Sequence, residues 1–203
     1  MAGAPTATRS RQRVPASERR DALIEAAVHE FAQGGLHGTP VDRIARRVGV
    51  AQPYVFSLFG SKKELFMAAV ERCFALVAET FTRATAAFDP SIAVEDSDVL
   101  LAMGHSYVEL LHSRRDYLML QHHAYAACND PEISDHVRAL YAGLVRHVER
   151  LAADDARRHG EPLPASEQID EFFRYGMWLN VAAAMGVEDL SAGCEWVRET
   201  VEE

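Results

Sequence analysis

The stretch TPVDRIARRVGVAQPYVFSLF, Thr39 to Phe59, decides how this chain is read. Val41, Ile44, Ala45 and Val48 recur at three- and four-residue spacing and give a short helix one apolar face. Thr39 is placed to cap that helix, Pro40 suits its first position, and Asp42 puts a negative charge in its first turn. Arg43, Arg46 and Arg47 fall largely outside the apolar stripe. Gly49 then stops the helix, because glycine enters the left-handed conformation without strain. Val50 fills the angle, Ala51 begins a second short helix, and that helix runs to Phe59. Helix, glycine turn and helix make a helix-turn-helix over residues 40–59, a motif that lays its second helix in a DNA major groove.

The flanks extend the unit. Ser61 and Glu64 form an S-x-x-E capping box ahead of an apolar run. Upstream, an amphipathic helix from about Ser17 to Gln33 turns Leu23, Ile24, Ala27, Val28 and Phe31 inward, and Gly34-Gly35 closes it. On Phe31, Gly35, Thr39, Val41, Ile44, Ala45, Gly49, Val50, Phe59, Ser61, Lys62 and Leu65, residues 17–77 resemble the TetR family of transcriptional repressors. The resemblance covers a little under a third of the chain and rests on many residue types at fixed spacing.

Composition agrees with a soluble globular protein: 203 residues, 48% hydrophobic and 25% charged. No apolar leader or run of membrane-span length is apparent, so a cytoplasmic protein with no membrane partner is expected. Cys73, Cys128 and Cys194 have no paired spacing and suit a reducing compartment. The net charge of -9 is divided unevenly. Residues 1–63 carry ten Arg and Lys against five Asp and Glu, whereas residues 64–203 carry eleven against twenty-five. One end is therefore suited to phosphates and the other is not.

Residues 1–16 lack periodicity and form a basic arm, expected to be disordered in the free protein. Its Arg9, Arg11 and Arg13 suit either a solvated tail or a minor-groove contact. Residues 17–77 make the DNA-binding domain and residues 78–203 a helical domain for effector binding and dimerisation. Helices are expected over 62–88, 99–113, a further segment through Ala127, from Pro131 to about His159, from a Ser166 cap through Met185, and over 189–201. The fold is all-α, with about nine helices and no credible strand. The segment from Phe172 to Met185 is apolar almost all the way round, which asks for a second burial surface. Phe173, Gly176, Met177, Asn180, Ala183 and Ala184, with Leu190, Cys194, Val197 and Val201 on the last helix, are assigned to a homodimer interface. TetR relatives dimerise through their last two helices, so the resemblance implies the same.

The resemblance also assigns DNA contacts by position. Gln52, Tyr54 and Ser57, with Pro53 beside them, become base-edge candidates; Thr39, Arg46 and Lys62 become phosphate contacts. The chain departs from the family pattern at Ala51, where Ser or Thr is usual, at Pro53 for a common glycine, and at Phe56 and Leu58 for hydroxyl- or imidazole-bearing residues. No contact is carried over to positions 56 and 58, and Phe56 is read as core. A pocket implied by the resemblance is placed among Met103, Tyr107, Leu111, Met119, His122, Tyr125, Met177 and Trp178, apolar and aromatic residues suited to a hydrophobic or amphipathic small molecule.

His105, Glu109 and His112 share one helix face, with Asp116, His122 and His123 on the next helix, and are ligand types for zinc or non-haem iron. Nine histidines make such a coincidence expected by number alone. No metal, cofactor or catalytic motif is assigned, and an enzyme is not expected. The sequence therefore describes a homodimeric, ligand-responsive repressor on a near-palindromic DNA operator. Two alternatives remain: a helix-turn-helix regulator controlled by a protein partner, and a metal-binding helical protein using His105, Glu109 and His112.

Overall fold

The computed structural model describes residues 15–91 and 98–187, and among these every regular element is helical. The order is α1 (Ala16–Gly38), α2 (Val41–Val48), α3 (Gln52–Phe59), α4 (Lys62–Ala87), α5 (Val99–Ser113), α6 (Arg115–Ala126), α7 (Pro131–His159) and α8 (Ser166–Met185). The ninth helix expected over 189–201, and the arm carrying Arg9, Arg11 and Arg13, lie outside the described residues. The same holds for Leu190, Cys194, Val197 and Val201.

Local chemistry places most of the boundaries. Gly49 takes the left-handed conformation (φ 74°, ψ 33°), and the Val50 amide closes the turn by donating to the Ala45 carbonyl at 3.0 Å. The Ser61 hydroxyl accepts from the Glu64 amide at 3.1 Å and starts α4. Asp98 accepts from the Leu101 amide to start α5. Asp130 accepts from the amides of Glu132 and Ile133, with Pro131 next in line, to start α7.

Three starts and stops differ from the sequence reading. α1 continues past Gly34 to Gly38, but with a break at Gly35 (φ 61°, ψ -171°). The glycine there is needed twice over, since a β-carbon would meet the His123 ring at 2.8 Å. Pro40, not Thr39, holds the cap position of α2, in extended conformation and with no side-chain bond. Ser166 is the first residue inside α8; Ala165 precedes it, and its amide donates to the Gln168 side chain at 2.8 Å.

Two cores organise the chain. The first joins α1, α2, α3 and the start of α4 through Leu23, Ala27, Phe31, Ile44, Val55, Leu65 and Phe66, and reaches α6 at Leu120 and Ala124. Phe31 and Phe66 meet edge to face with ring centroids 5.1 Å apart. The second joins the rest of α4 to α5, α7 and α8 through Val77, Phe81, Met103, Val108, Val148, Ile169 and Leu179. Helix α4 belongs to both. Helix α6 is the second bridge, because Leu118 enters one core while Leu120 and Ala124 enter the other.

Candidate nucleic-acid interface and inner cavity

Helix α3 is fixed by its buried face. Val55 and Phe59, four residues apart, enter the first core, and Tyr54 and Leu58 pack half-buried at its edge. Arg20 of α1 lies over the Phe59 ring, 5.0 Å from its centroid. The opposite face presents Gln52, Pro53, Phe56 and Ser57 to solvent. Phe56 is thus a correction: it is 36% exposed and stands one turn beyond Gln52, facing solvent instead of the core. Its phase carried the signal. One position after Val55, it is turned about 100° round the helix from that residue and falls at the flank of the buried stripe.

The expected phosphate contacts divide. Arg46 is exposed and ion-paired with Asp42 at 2.8 Å. Lys62 donates to the His37 carbonyl at 3.3 Å, and partial burial pulls its ammonium below the usual lysine range. The Ser57 hydroxyl donates to the Tyr54 carbonyl at 2.7 Å, so it meets an incoming group as an acceptor unless it rotates. Thr39 is overturned as a phosphate contact. It is 2% exposed, and its hydroxyl donates to the Glu30 carbonyl at 3.1 Å, pinning the start of α2 to α1. Part of the basic excess is also internal. Arg43 and Arg47 both turn onto the buried carboxylate of Glu30, at 3.0 and 3.3 Å. Lys63 pairs with Asp130 and Glu132 at the start of α7.

Helices α4, α5, α6, α7 and α8 line a cavity of about 300 Å³ that is open on one side. Phe74, Val77, Phe81, Leu100, Leu144, Phe172 and Phe173 form much of its wall. Tyr107, Gln121, Tyr125 and Tyr141 bring polar groups to it. Behind that wall Asn180, only 1% exposed, donates to the Tyr107 hydroxyl at 2.9 Å and to Gln121 Oε1 at 3.1 Å. The Tyr125 hydroxyl donates to the same Gln121 oxygen at 3.3 Å. Burial pushes the Tyr107 phenol up to about 12 and raises those of Tyr125 and Tyr141, which keeps the hydroxyls neutral.

Of the eight residues expected at a pocket, Tyr107, Tyr125 and Met177 border this cavity. Met103 and Leu111 are packed in the second core, and Met119 sits against the first. The His122 ring is turned to the Asn180 carbonyl at 3.1 Å. Trp178 points outward and is 40% exposed.

The residues expected at a dimer interface also separate. Asn180 and Ala183 are buried within the single chain, Phe173 and Gly176 border the cavity, and Ala184 is half-buried against the second core. The exposed apolar face of α8 is carried by Tyr175, Met177, Trp178, Val181 and Met185, between 37% and 64% exposed. Helical phase explains the difference: Asn180 and Ala183 follow Leu179 and Ile169 into the core, while Trp178, Val181 and Met185 fall three and four residues apart on the far side. The α5 histidines do not gather into a coordination set. His112 Nδ1 is 2.9 Å from the Val108 carbonyl, and among the described residues no three His, Cys, Asp or Glu side chains converge on a common point.

The family model of bacterial regulatory proteins of the tetR family matches residues 23–69, which span α1 through the start of α4. Over those residues the chain is similar to the tetR family of bacterial regulatory proteins. Among curated relatives, the transcriptional activator FasR of Mycolicibacterium smegmatis is 42% identical over 60 residues, 30% of this chain and 27% of that protein. The transcriptional regulator RutR of Escherichia coli is 34% identical over 70 residues, 34% of this chain and 32% of that protein. The chain thus matches about a quarter to a third of the length of these relatives. Solved structures extend the TetR-family fold over nearly the whole chain. A TetR-family regulator from Mesorhizobium loti superposes with a TM-score of 0.70 at 18% identity, covering 94% of this chain and 96% of that one. The regulator FadR from Bacillus subtilis, solved in complex with stearoyl-CoA, gives 0.65 at 13% identity, covering 90% and 94%. No described helix is long and apolar enough to cross a membrane.

Proposed function

We propose that this protein is a cytoplasmic, DNA-binding transcriptional repressor that works as a homodimer and is released from its operator by a small molecule held in the cavity. The observation that carries this reading is the solvent-facing row Gln52, Pro53, Phe56 and Ser57 on α3, held rigid from behind by Val55 and Phe59. Gln52 pairs bidentately with adenine and Phe56 packs on a thymine methyl, both in the major groove. Tyr54, half-buried at the edge of the row, borders the same groove. Arg46 and Lys62 hold phosphates on either side and set the register.

The apolar face of α8 supports the dimer. Five large apolar side chains on one helix face are stable in water when a second surface covers them. A second copy supplies such a surface by twofold symmetry and carries a second α3 to the next major groove, about 34–36 Å away. The operator is then a near-palindrome. A ligand that favours a dimer with wrongly spaced α3 helices weakens DNA binding, and DNA weakens ligand binding to the same degree.

Footprinting on DNA upstream of the protein's own gene, over a salt series, tests the reading. A protected near-palindrome whose affinity falls steeply with salt is expected. Gln52→Ala should weaken that site selectively, whereas Lys62→Ala should weaken all DNA alike and lower the salt slope by about 1. Equal losses on specific and random DNA for Gln52→Ala would defeat the assignment of α3 as reader.

A further inference from the structure

The cavity has a marked charge and ring pattern. Its aromatic wall is continuous: Tyr107 neighbours Phe81 at 5.9 Å between centroids, Phe81 neighbours Phe172 at 5.5 Å, Phe172 neighbours Phe173 at 5.4 Å, and Phe173 neighbours Tyr141 at 5.6 Å. The last three contacts are edge to face. The ionic side chains among the described lining residues are carboxylates alone, Asp98 before α5 and Glu171 in α8, both exposed at the rim. No Arg, Lys or His is among those lining residues.

The interior offers hydrogen-bond donors without positive charge. The Tyr107 oxygen already accepts from Asn180, which leaves its own proton for a guest. The surrounding segment, residues 64–203, carries twenty-five acidic against eleven basic side chains. An anionic guest would leave water for rings whose faces are negative and would pass two carboxylates on entry. A cationic guest meets the opposite field at both places.

We propose that the cavity takes a lipophilic organic cation, with its apolar body against the Tyr107–Phe81–Phe172 wall and its ammonium group at the Asp98–Glu171 rim, and that it rejects fatty acids and acyl-CoA. This rests on the cavity being the effector site, and it assigns the chemical class of the effector. It also separates this chain from the fold neighbour solved with stearoyl-CoA, whose ligand is a polyanion.

Three probes of one alkyl chain length test the charge selection: decyltrimethylammonium, 1-decanol and decanoate, each titrated below its micelle concentration into the full-length protein by calorimetry. Decyltrimethylammonium should bind about tenfold or more tighter than decanoate at low salt, with 1-decanol between them, and the gap should narrow as salt is added. The double variant Asp98→Asn, Glu171→Gln should bring the cation and the alcohol to similar affinity. Asparagine keeps the capping acceptor at position 98, so α5 still has its start. Decanoate binding as tightly as the cation would overturn the charge selection and leave the effector site standing. Retained cation preference in the double variant would overturn the role of the rim. No binding by any of the three would overturn both the proposal and the effector reading of the cavity.

Discussion

The Tyr117 hydroxyl of α6 donates to Glu25 Oε2 of α1 at 2.6 Å, and Arg72 of α4 donates to the other oxygen of the same carboxylate at 2.9 Å. Three helices thus meet on one side chain. Four and eight residues further along, α6 turns Gln121 and Tyr125 to the cavity. His29 and Asp116 add a second α1–α6 bond, 2.6 Å between Nδ1 and Oδ2, and the His123 ring fills the space beside Gly35. The contacts between α1 and the helices that line the cavity therefore run through α6 as well as α4.

Tyr117→Phe removes one of the α6 contacts and leaves Arg72 on Glu25. A hydrogen bond to a carboxylate that is about half exposed costs roughly 1 kcal/mol when lost. Urea unfolding should show that loss, while the drop in DNA affinity caused by a cavity ligand shrinks in a binding assay. An unchanged ligand response would place the coupling in α4 alone.

Thr39→Val tests whether position 39 serves the fold or the DNA. The inward hydroxyl predicts a stability loss of about 1 kcal/mol in chemical unfolding, with an unchanged salt slope for DNA binding. A slope lower by about 1 with unchanged stability would show that Thr39 turns outward to a phosphate.

Phe56→Ala should leave stability within about 0.5 kcal/mol, as for an ordinary surface change, and weaken the specific operator more than random DNA. Val55→Ala, one residue away, should lower stability by about 1 kcal/mol or more through the lost burial. Phe56→Ala costing as much stability as Val55→Ala would return Phe56 to the core.

Tyr107 links stability to alkaline pH. Its phenol loses its proton near its ordinary value of 10 in the unfolded chain and at about 12 in the folded one. Between those values the unfolded state binds fewer protons, so stability is complete below pH 10 and falls as pH rises toward 12. One proton sets a limiting slope of about 1.4 kcal/mol per pH unit. Tyr107→Phe should flatten this part of the pH–stability profile measured by urea unfolding.

Much of the helix-turn-helix and its flanks was legible in the chain because the signals there are local. Gly49 needs a left-handed conformation, Ser61 and Asp130 reach amides two or three residues away, and Val41, Ile44 and Ala45 repeat with the period of a helix. Errors arose where a residue's role depends on a distant partner. Thr39 has the chemistry of a cap, but Glu30 on another helix takes its hydroxyl. Asn180 and Ala183 sit in a segment apolar on every side, where periodicity cannot choose which face is inner. Tyr107, Gln121 and the second core supply that choice.

Order along the chain was enough to set the all-helical class and the helix-turn-helix, since caps, glycine stops and helical period act over a few residues. The cavity, the outward turn of Phe56, the two arginines spent on Glu30 and the α1–α6 seam arise only when helices far apart in sequence pack together. Which atoms face a void, a partner or water is then settled by the volume and polarity of the neighbours, and no single segment contains that information.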